Sequence, residues 1–148
     1  MRSLPGLDAG ERLRAYAPAS FRGATAASSR GVYAVHSTAA RMRAYDAWAA
    51  AASAAGFPTG GPDMVIGVTD ERLVVWRTSF LSGRPVEVAG DLPLARIAQV
   101  GAARHGIVTG VAFVVGGAVV EVEAVRGRRL RRLAAEVRAA LAERPGPA

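Results

Sequence analysis

Arg128-Arg-Leu130-Arg-Arg-Leu133-Ala134-Ala-Glu-Val137-Arg-Ala-Ala140-Leu141-Ala-Glu143 is the segment whose period decides the fold. Leu130, Leu133, Ala134, Val137, Ala140 and Leu141 recur at i, i+3, i+4, i+7, i+10 and i+11. This spacing predicts one amphipathic helix with a single apolar face. Such a face needs something to cover, and the residues upstream supply it.

From Asp63 onward the chain reads as short strands. Met64 to Thr69 is apolar on both faces, and Asp70-Glu71 forms a tight turn. Arg72 to Phe80 is the clearest strand, alternating Trp76, Thr78 and Phe80 against Arg77 and Ser79. Leu81 to Arg84 turns. Pro85 to Ala89 is a short strand, Gly90-Asp91 turns again, and Leu92 to Val100 is extended, with Leu94 or Ile97 and Val100 inward. Arg104-His105-Gly106 is a polar turn before a strand from Ile107 to Val115. Gly116-Gly117 suits a two-residue hairpin turn. Ala118 to Val125 pairs back, with Ala118, Val120, Val122 and Ala124 facing one way and Glu121 and Glu123 the other. Gly127 breaks that strand, the last helix begins, and Pro145 ends it.

Short turns make sequential strands pair antiparallel, because parallel crossovers need longer links. The expected fold class is α+β, mainly β: a bent antiparallel sheet or barrel capped by the C-terminal helix, with an additional N-terminal helix. Residues 63–143 form this core and residues 144–148 a tail. Residues 1–62 form an extension packed on the core. In it, Glu11–Arg14 ends a short helix and Ala15–Phe21 is a strand. Gly23–Gly31 is a loop and Gly31–His36 a second strand. An Ala-rich helix then runs from about 39 to 55, capped by Ser37 or Thr38 and stopped by Gly56. Its stripe of Met42, Tyr45, Trp48 or Ala49, and Ala52 packs on the sheet or on another copy of the chain.

Composition narrows the chemistry. At 148 residues, 51% of them apolar, the chain builds one domain with a proper core. The absence of Cys excludes disulfides and thiolate sites and fits a reducing compartment. Every basic residue is Arg, there is no Asn, and Ala is abundant, a bias expected of a GC-rich genome. The net charge of +7 is uneven. Residues 1–62 carry +4, residues 63–125 carry −2 and residues 126–148 carry +5. Pro5, Asp8 and Glu11 interrupt any N-terminal apolar run, and no segment reaches the roughly 20 apolar residues of a membrane span. The expected location is cytoplasmic, with a membrane-peripheral role open.

The run Gly67-Val-Thr-Asp-Glu-Arg-Leu-Val-Val-Trp76, then Pro93-Leu-Ala-Arg-Ile97, then the Gly-Gly hairpin and closing helix, resembles the bacterial pleckstrin-homology-like domains, including the GRAM-type pattern. The resemblance spans about residues 60–143. It implies a seven-stranded, strongly bent sheet capped by a C-terminal helix, and ligands among phosphoinositides, peptides and proteins. Lipid-binding members use Lys and Arg around the loop between the first two strands. The turn aligned there carries Asp70 and Glu71 beside Arg72, a departure that argues against phosphoinositide recognition at that place.

The remaining chemistry lies in Arg126, Arg128, Arg129, Arg131 and Arg132. Cations at a helix N-terminus are unfavourable by roughly 0.3–1 kcal/mol each, and like charges one turn apart repel further. An anion relieves this: either Glu121 and Glu123 from the preceding strand, or an external phosphate or acidic lipid. The helical wheel puts Arg128 and Arg132 opposite the apolar face and Arg129 and Arg131 on its flanks, so a plainly solvated face is the competing reading. His36 and His105 lack a second ligand at metal spacing or an acid–base partner, and Gly101, Gly106 and Gly110 read as punctuation. No catalytic residue, metal site or cofactor is expected. Trp48 and Trp76 read as core anchors. The Arg run holds no aromatic, which disfavours nucleic acid. The expectation is a non-enzymatic interaction module that binds a protein through a sheet edge or the groove beside the last helix. Docking on anionic lipid through Arg126–Arg132 is the alternative, with nucleic acid third and self-association open.

Overall fold

The computed structural model describes residues 4–29, 34–79 and 81–144, with the backbone alone for 27–29 and 34–38. The elements are β1 (Leu13–Phe21), α1 (Ala24–Ser29), α2 (Ala34–Ala54), β2 (Asp63–Thr69), β3 (Arg72–Thr78), β4 (Pro85–Pro93), a 3₁₀ turn (Leu94–Arg96), β5 (Ile97–His105), β6 (Val108–Val115), β7 (Ala118–Val125) and α3 (Arg128–Glu143). The strands form one antiparallel sheet in the order β4-β3-β2-β1-β7-β6-β5. It is not closed: β4 and β5 are its edges. The mainly-β, α+β class with a C-terminal helix and a helix near the N-terminus is the one read from the sequence.

The N-terminal strand sits in the middle of the sheet, where it joins two meanders. β1 pairs with β2 over most of its length, and Ser20 and Phe21 at its end pair with Glu123 and Val122 of β7. The short β1–β7 seam lets the sheet bend. Its inner face then wraps α3, whose Leu130, Leu133, Ala134, Val137 and Ala140 are buried in one core with Ile66, Val68, Val75, Val111, Phe113 and Val122. Burying those five side chains contributes on the order of 5–10 kcal/mol before chain entropy is counted.

The doubly apolar reading of β2 has a simple cause. Met64, Ile66 and Val68 face the main core, while Val65 joins Val74 and Trp76 in a second cluster on the outer face. The N-terminal segment covers that cluster with Leu4 and Leu7, and the Trp76 indole N–H donates to the Pro5 carbonyl at 2.8 Å. Trp76 is therefore a core anchor, as expected. Trp48 anchors α2 to the sheet. It is ringed by Phe21, Tyr45 and Phe57, and its indole N–H donates to the Glu121 carbonyl at 2.8 Å. Met42, expected in the same stripe, is 41% exposed.

Several local expectations are corrected. Leu13 and Arg14 belong to β1 and end no helix. Residues 24–29, expected as loop, are helical. Ala34 to His36, expected as strand, begin α2, so Ser37 and Thr38 lie inside the helix; residues 31–33 fall outside the described residues. Gly90-Asp91 does not turn: β4 runs through it with a shifted register opposite Val75 and Trp76. The 3₁₀ turn interrupts the stretch expected to run from Leu92 to Val100. That turn buries Leu94 together with Ile97 and Val100, so all three point inward. Phe80 lies outside the described residues. The Gly116-Gly117 hairpin is as expected, with φ of 57° and 79°, the left-handed pair such a turn demands.

Candidate functional site

The last strand reaches α3 through Arg126 and Gly127. Arg126 takes a left-handed φ of 54°. Its N–H donates to the Ile107 carbonyl at 2.7 Å, which ties the start of α3 to the β5–β6 turn. Gly127 lies flat on β6. A Cβ there would come within 2.9 Å of the Thr109 Cβ and 3.2 Å of the Ala124 Cβ, so only glycine lets α3 start this close to the sheet.

This placement divides the five arginines expected to act together. Arg129 and Arg132 lie on the β1 side. The Arg129 guanidinium sits 4.5 Å from the centre of the Tyr16 ring, and both arginines line a hollow of about 210 Å³ with Leu13, Arg14 and Ala15. Arg126, Arg128 and Arg131 lie on the β6 side. There Arg104, from the end of β5, joins them around a depression of about 290 Å³ whose remaining wall is Thr109.

Glu121 and Glu123 do not neutralise either group. Glu121 pairs with Arg22 at 2.5 Å. Glu123 accepts the backbone N–H of Gly23 at 2.6 Å and of Thr25 at 3.1 Å, and so holds the start of α1. Among the described residues, no carboxylate pairs with Arg104, Arg126, Arg128, Arg129, Arg131 or Arg132. Among the described residues, Arg104 donates only to the neighbouring Gly106 carbonyl, at 3.2 Å.

Two exposed aliphatic side chains share this end of the sheet. Ile107 is 63% exposed at the tip of the β5–β6 turn, and Val125 is 51% exposed at the end of β7. Val125 pairs in register with Val108, next to Ile107. Sequence reasoning missed Arg104, Thr109, Ile107 and Val125 as partners of the Arg run. The signal was there: if the two hairpins pair in simple register, the β5–β6 turn must lie beside the β7–α3 junction.

The opposite end of α3 is built differently. Arg14 donates to Glu143 at 2.7 and 3.0 Å, to Glu136 at 3.1 Å and to Asp70 at 3.0 Å. These bonds, Glu143 first, raise the Arg14 pKa, and the Arg14 guanidinium in turn lowers that of Glu143. Nearby, Arg72 forks onto Glu11 at 2.8 and 2.9 Å and reaches Asp91 at 3.1 Å. Glu11 is pulled down to about 2, chiefly by the Arg72 hydrogen bonds, with help from the Asp8 N–H and the Thr69 hydroxyl. The Asp70-Glu71 turn joins the second and third strands, so its alignment with the loop between the first two is corrected. That first connection holds α1 and α2.

His105 ends β5 and is exposed, and the His36 side chain lies outside the described residues. Among the described residues, no three His, Asp or Glu side chains are grouped to hold a metal ion. No helix among them is long and apolar enough to cross a membrane. Comparison with protein-family models and with curated proteins finds no match for this chain.

Proposed function

We propose that this chain is a non-enzymatic, pleckstrin-homology-like interaction module that docks peripherally on an anionic membrane through the β5–β6 turn and the start of α3. The observation that carries the reading is the pairing of Ile107 and Val125, both exposed, with Arg104, Arg126, Arg128 and Arg131, none of which has an acidic partner among the described residues. An apolar tip with a basic collar matches a lipid surface. The aliphatic side chains enter the headgroup boundary while the guanidiniums meet phosphates, each cation contributing about 1 kcal/mol near an anionic leaflet. The antiparallel sheet capped by α3 supports the family reading without bearing on the ligand.

Vesicle co-sedimentation tests this. The protein should bind vesicles containing phosphatidylserine at low salt, bind them less as salt rises, and leave neutral vesicles in solution. Arg104→Gln with Arg128→Gln and Arg131→Gln should abolish sedimentation, and Ile107→Ser should weaken it at every salt concentration. Equal sedimentation of the triple variant would sink the proposal.

A protein partner is the second reading, carried by the outer edge of β5. Among the described residues no strand pairs with that edge, and the strand presents Ala98, Gln99, Ala102 and Ala103 to solvent, with the Val100 carbonyl accepting from Arg138. Strand addition there relies on backbone hydrogen bonds and resists salt. The other expected route, the groove beside the last helix, is bridged on its β1 side by Arg14 to Glu136 and Glu143.

A further inference from the structure

Three buried polar side chains stand out among the described residues: Thr69, Thr109 and Glu123. Two have clear work. The Thr69 hydroxyl donates to Glu11 and accepts the N–H of Glu71 and Arg72, and Glu123 holds the start of α1. Thr109 differs. It is 3% exposed, yet no hydrogen bond from a described residue reaches its hydroxyl. Nor is that oxygen sealed in, since no buried side-chain polar atom is left unpartnered and Thr109 lines the depression of Arg104, Arg126, Arg128 and Arg131. A buried hydroxyl normally finds a partner. Here, among the described residues, the hydroxyl has no partner, and the residue lines a depression whose other walls are four arginines.

We infer that this depression is a binding site for a phosphate monoester, with the Thr109 hydroxyl donating to one phosphate oxygen and the four arginines meeting the others. The inference rests on the membrane-docking reading and names the headgroup chemistry that the same surface selects. Arg104 comes from β5, Thr109 from β6, Arg126 from the β7–α3 junction, and Arg128 and Arg131 from α3, so the site is converged upon by separate elements instead of being a run of charge along one helix. Its volume of about 290 Å³ exceeds that of a phosphate group and leaves room for the carbon it is esterified to. No acidic side chain lines it. Uncompensated positive charge of this density favours a dianion over a monoanion, and guanidinium forks match the three free oxygens of a monoester. The first turn of α3 adds to the field: the N–H groups of Arg129 and Leu130 have no acceptor among the described residues.

The experiment compares vesicles of equal surface charge, one set carrying phosphatidic acid (a monoester headgroup) and one carrying phosphatidylserine (a diester). The wild-type protein should prefer phosphatidic acid about tenfold, as one charge-assisted hydrogen bond and the second negative charge imply. Thr109→Val keeps the shape of the side chain and removes the hydroxyl. It should melt like the wild type and lose that preference while still sedimenting with phosphatidylserine. Glycerol 3-phosphate in solution separates the sources: competition against phosphatidic acid vesicles marks a site for the free monoester as well, and no competition marks a site that requires the lipid. Equal binding to the two anionic vesicles, or a preference unchanged by Thr109→Val, overturns the monoester site and leaves membrane docking standing. Failure to sediment with either vesicle overturns both.

Discussion

Arginine has opposite employment at the two ends of α3. At the C-terminal end, Arg14 is held by three carboxylates from α3 and the β2–β3 turn, and Arg72 is held by Glu11 and Asp91 close by. At the N-terminal end, Arg104, Arg126, Arg128 and Arg131 converge with no acid among them. The residue type, the helix and the sheet are shared; only the partners differ. Paired guanidiniums at 14% and 17% side-chain exposure fix one element against another. Unpaired ones raise the energy of the free protein and keep that energy available to a ligand. The paired end is thus read as structure and the unpaired end as function.

The comparison depends on α3 being seated, so the largest effect comes from unseating it. Leu133 is fully buried between the two ends. Leu133→Asp should cost well over about 4 kcal/mol, through the lost contacts and the buried carboxylate, and should unfold the domain at ordinary temperature. A cooperative melt at the wild-type temperature would contradict the core described above.

Next comes the Glu11–Arg72 pair. The Glu11 carboxyl in the folded protein titrates near 2, below its ordinary 4.5, so the pair stabilises the fold fully above about pH 4.5. That contribution is lost as pH falls through the window from about 4.5 to about 2, and amounts to at most about 3 kcal/mol. Acid unfolding of the wild type should therefore steepen in this window. Glu11→Gln should be less stable at neutral pH and show a flatter dependence there, measured by urea midpoints at each pH. A parallel dependence in the two proteins would mean the pair does not titrate with folding.

Arg14→Gln should cost less, about 2 kcal/mol. Two of the three carboxylates that it leaves are largely exposed and keep their water, so only the bonds of a shielded guanidinium are lost. For a chain of this size that lowers the melting temperature by roughly 4–8 °C. Vesicle binding should not change, because Arg14 lies outside the depression at the other end of α3. A variant that melts normally would dissolve the contrast between the two ends.

How much of this is legible in the sequence depends on whether the cause is local. The α3 face, the Gly116-Gly117 hairpin and the strand alternation follow from periods and turn chemistry, and the structure has all three. Residues 24–29 read as loop because Glu123 supplies the cap of α1 from almost a hundred positions away, a partner no local pattern reveals. Gly90-Asp91 resembles a turn because the glycine and acid suit one. The strand continues because Val74 and Val75 of β3 pair across to Asp91 and Gly90. The site is half legible: the Arg run is evident, but its division by α3 and its completion by Arg104 and Thr109 depend on sheet register. Glu121 and Glu123 are natural partners for the arginines by proximity in sequence. Arg22 and α1, long-range neighbours, take them instead.

The smallest effect is the one with the unusual sign. Arg128 and Arg131 sit in the first turn of α3, at the positive end of its dipole, one turn apart and unpaired among the described residues. Replacing both with Gln removes repulsion and no ion pair. The double variant should melt about 1–3 °C higher than the wild type, corresponding to roughly 0.5–1 kcal/mol, while losing vesicle binding. The rise should shrink with added salt, since exposed charges are screened. A fall in melting temperature would mean that these arginines hold the fold together as Arg14 does. The rise by itself shows only that the charges repel at the helix start; its coupling to lost binding is what distinguishes a surface kept frustrated for a ligand from one that is merely solvated, because a solvated face would give up its charges without any loss of vesicle binding.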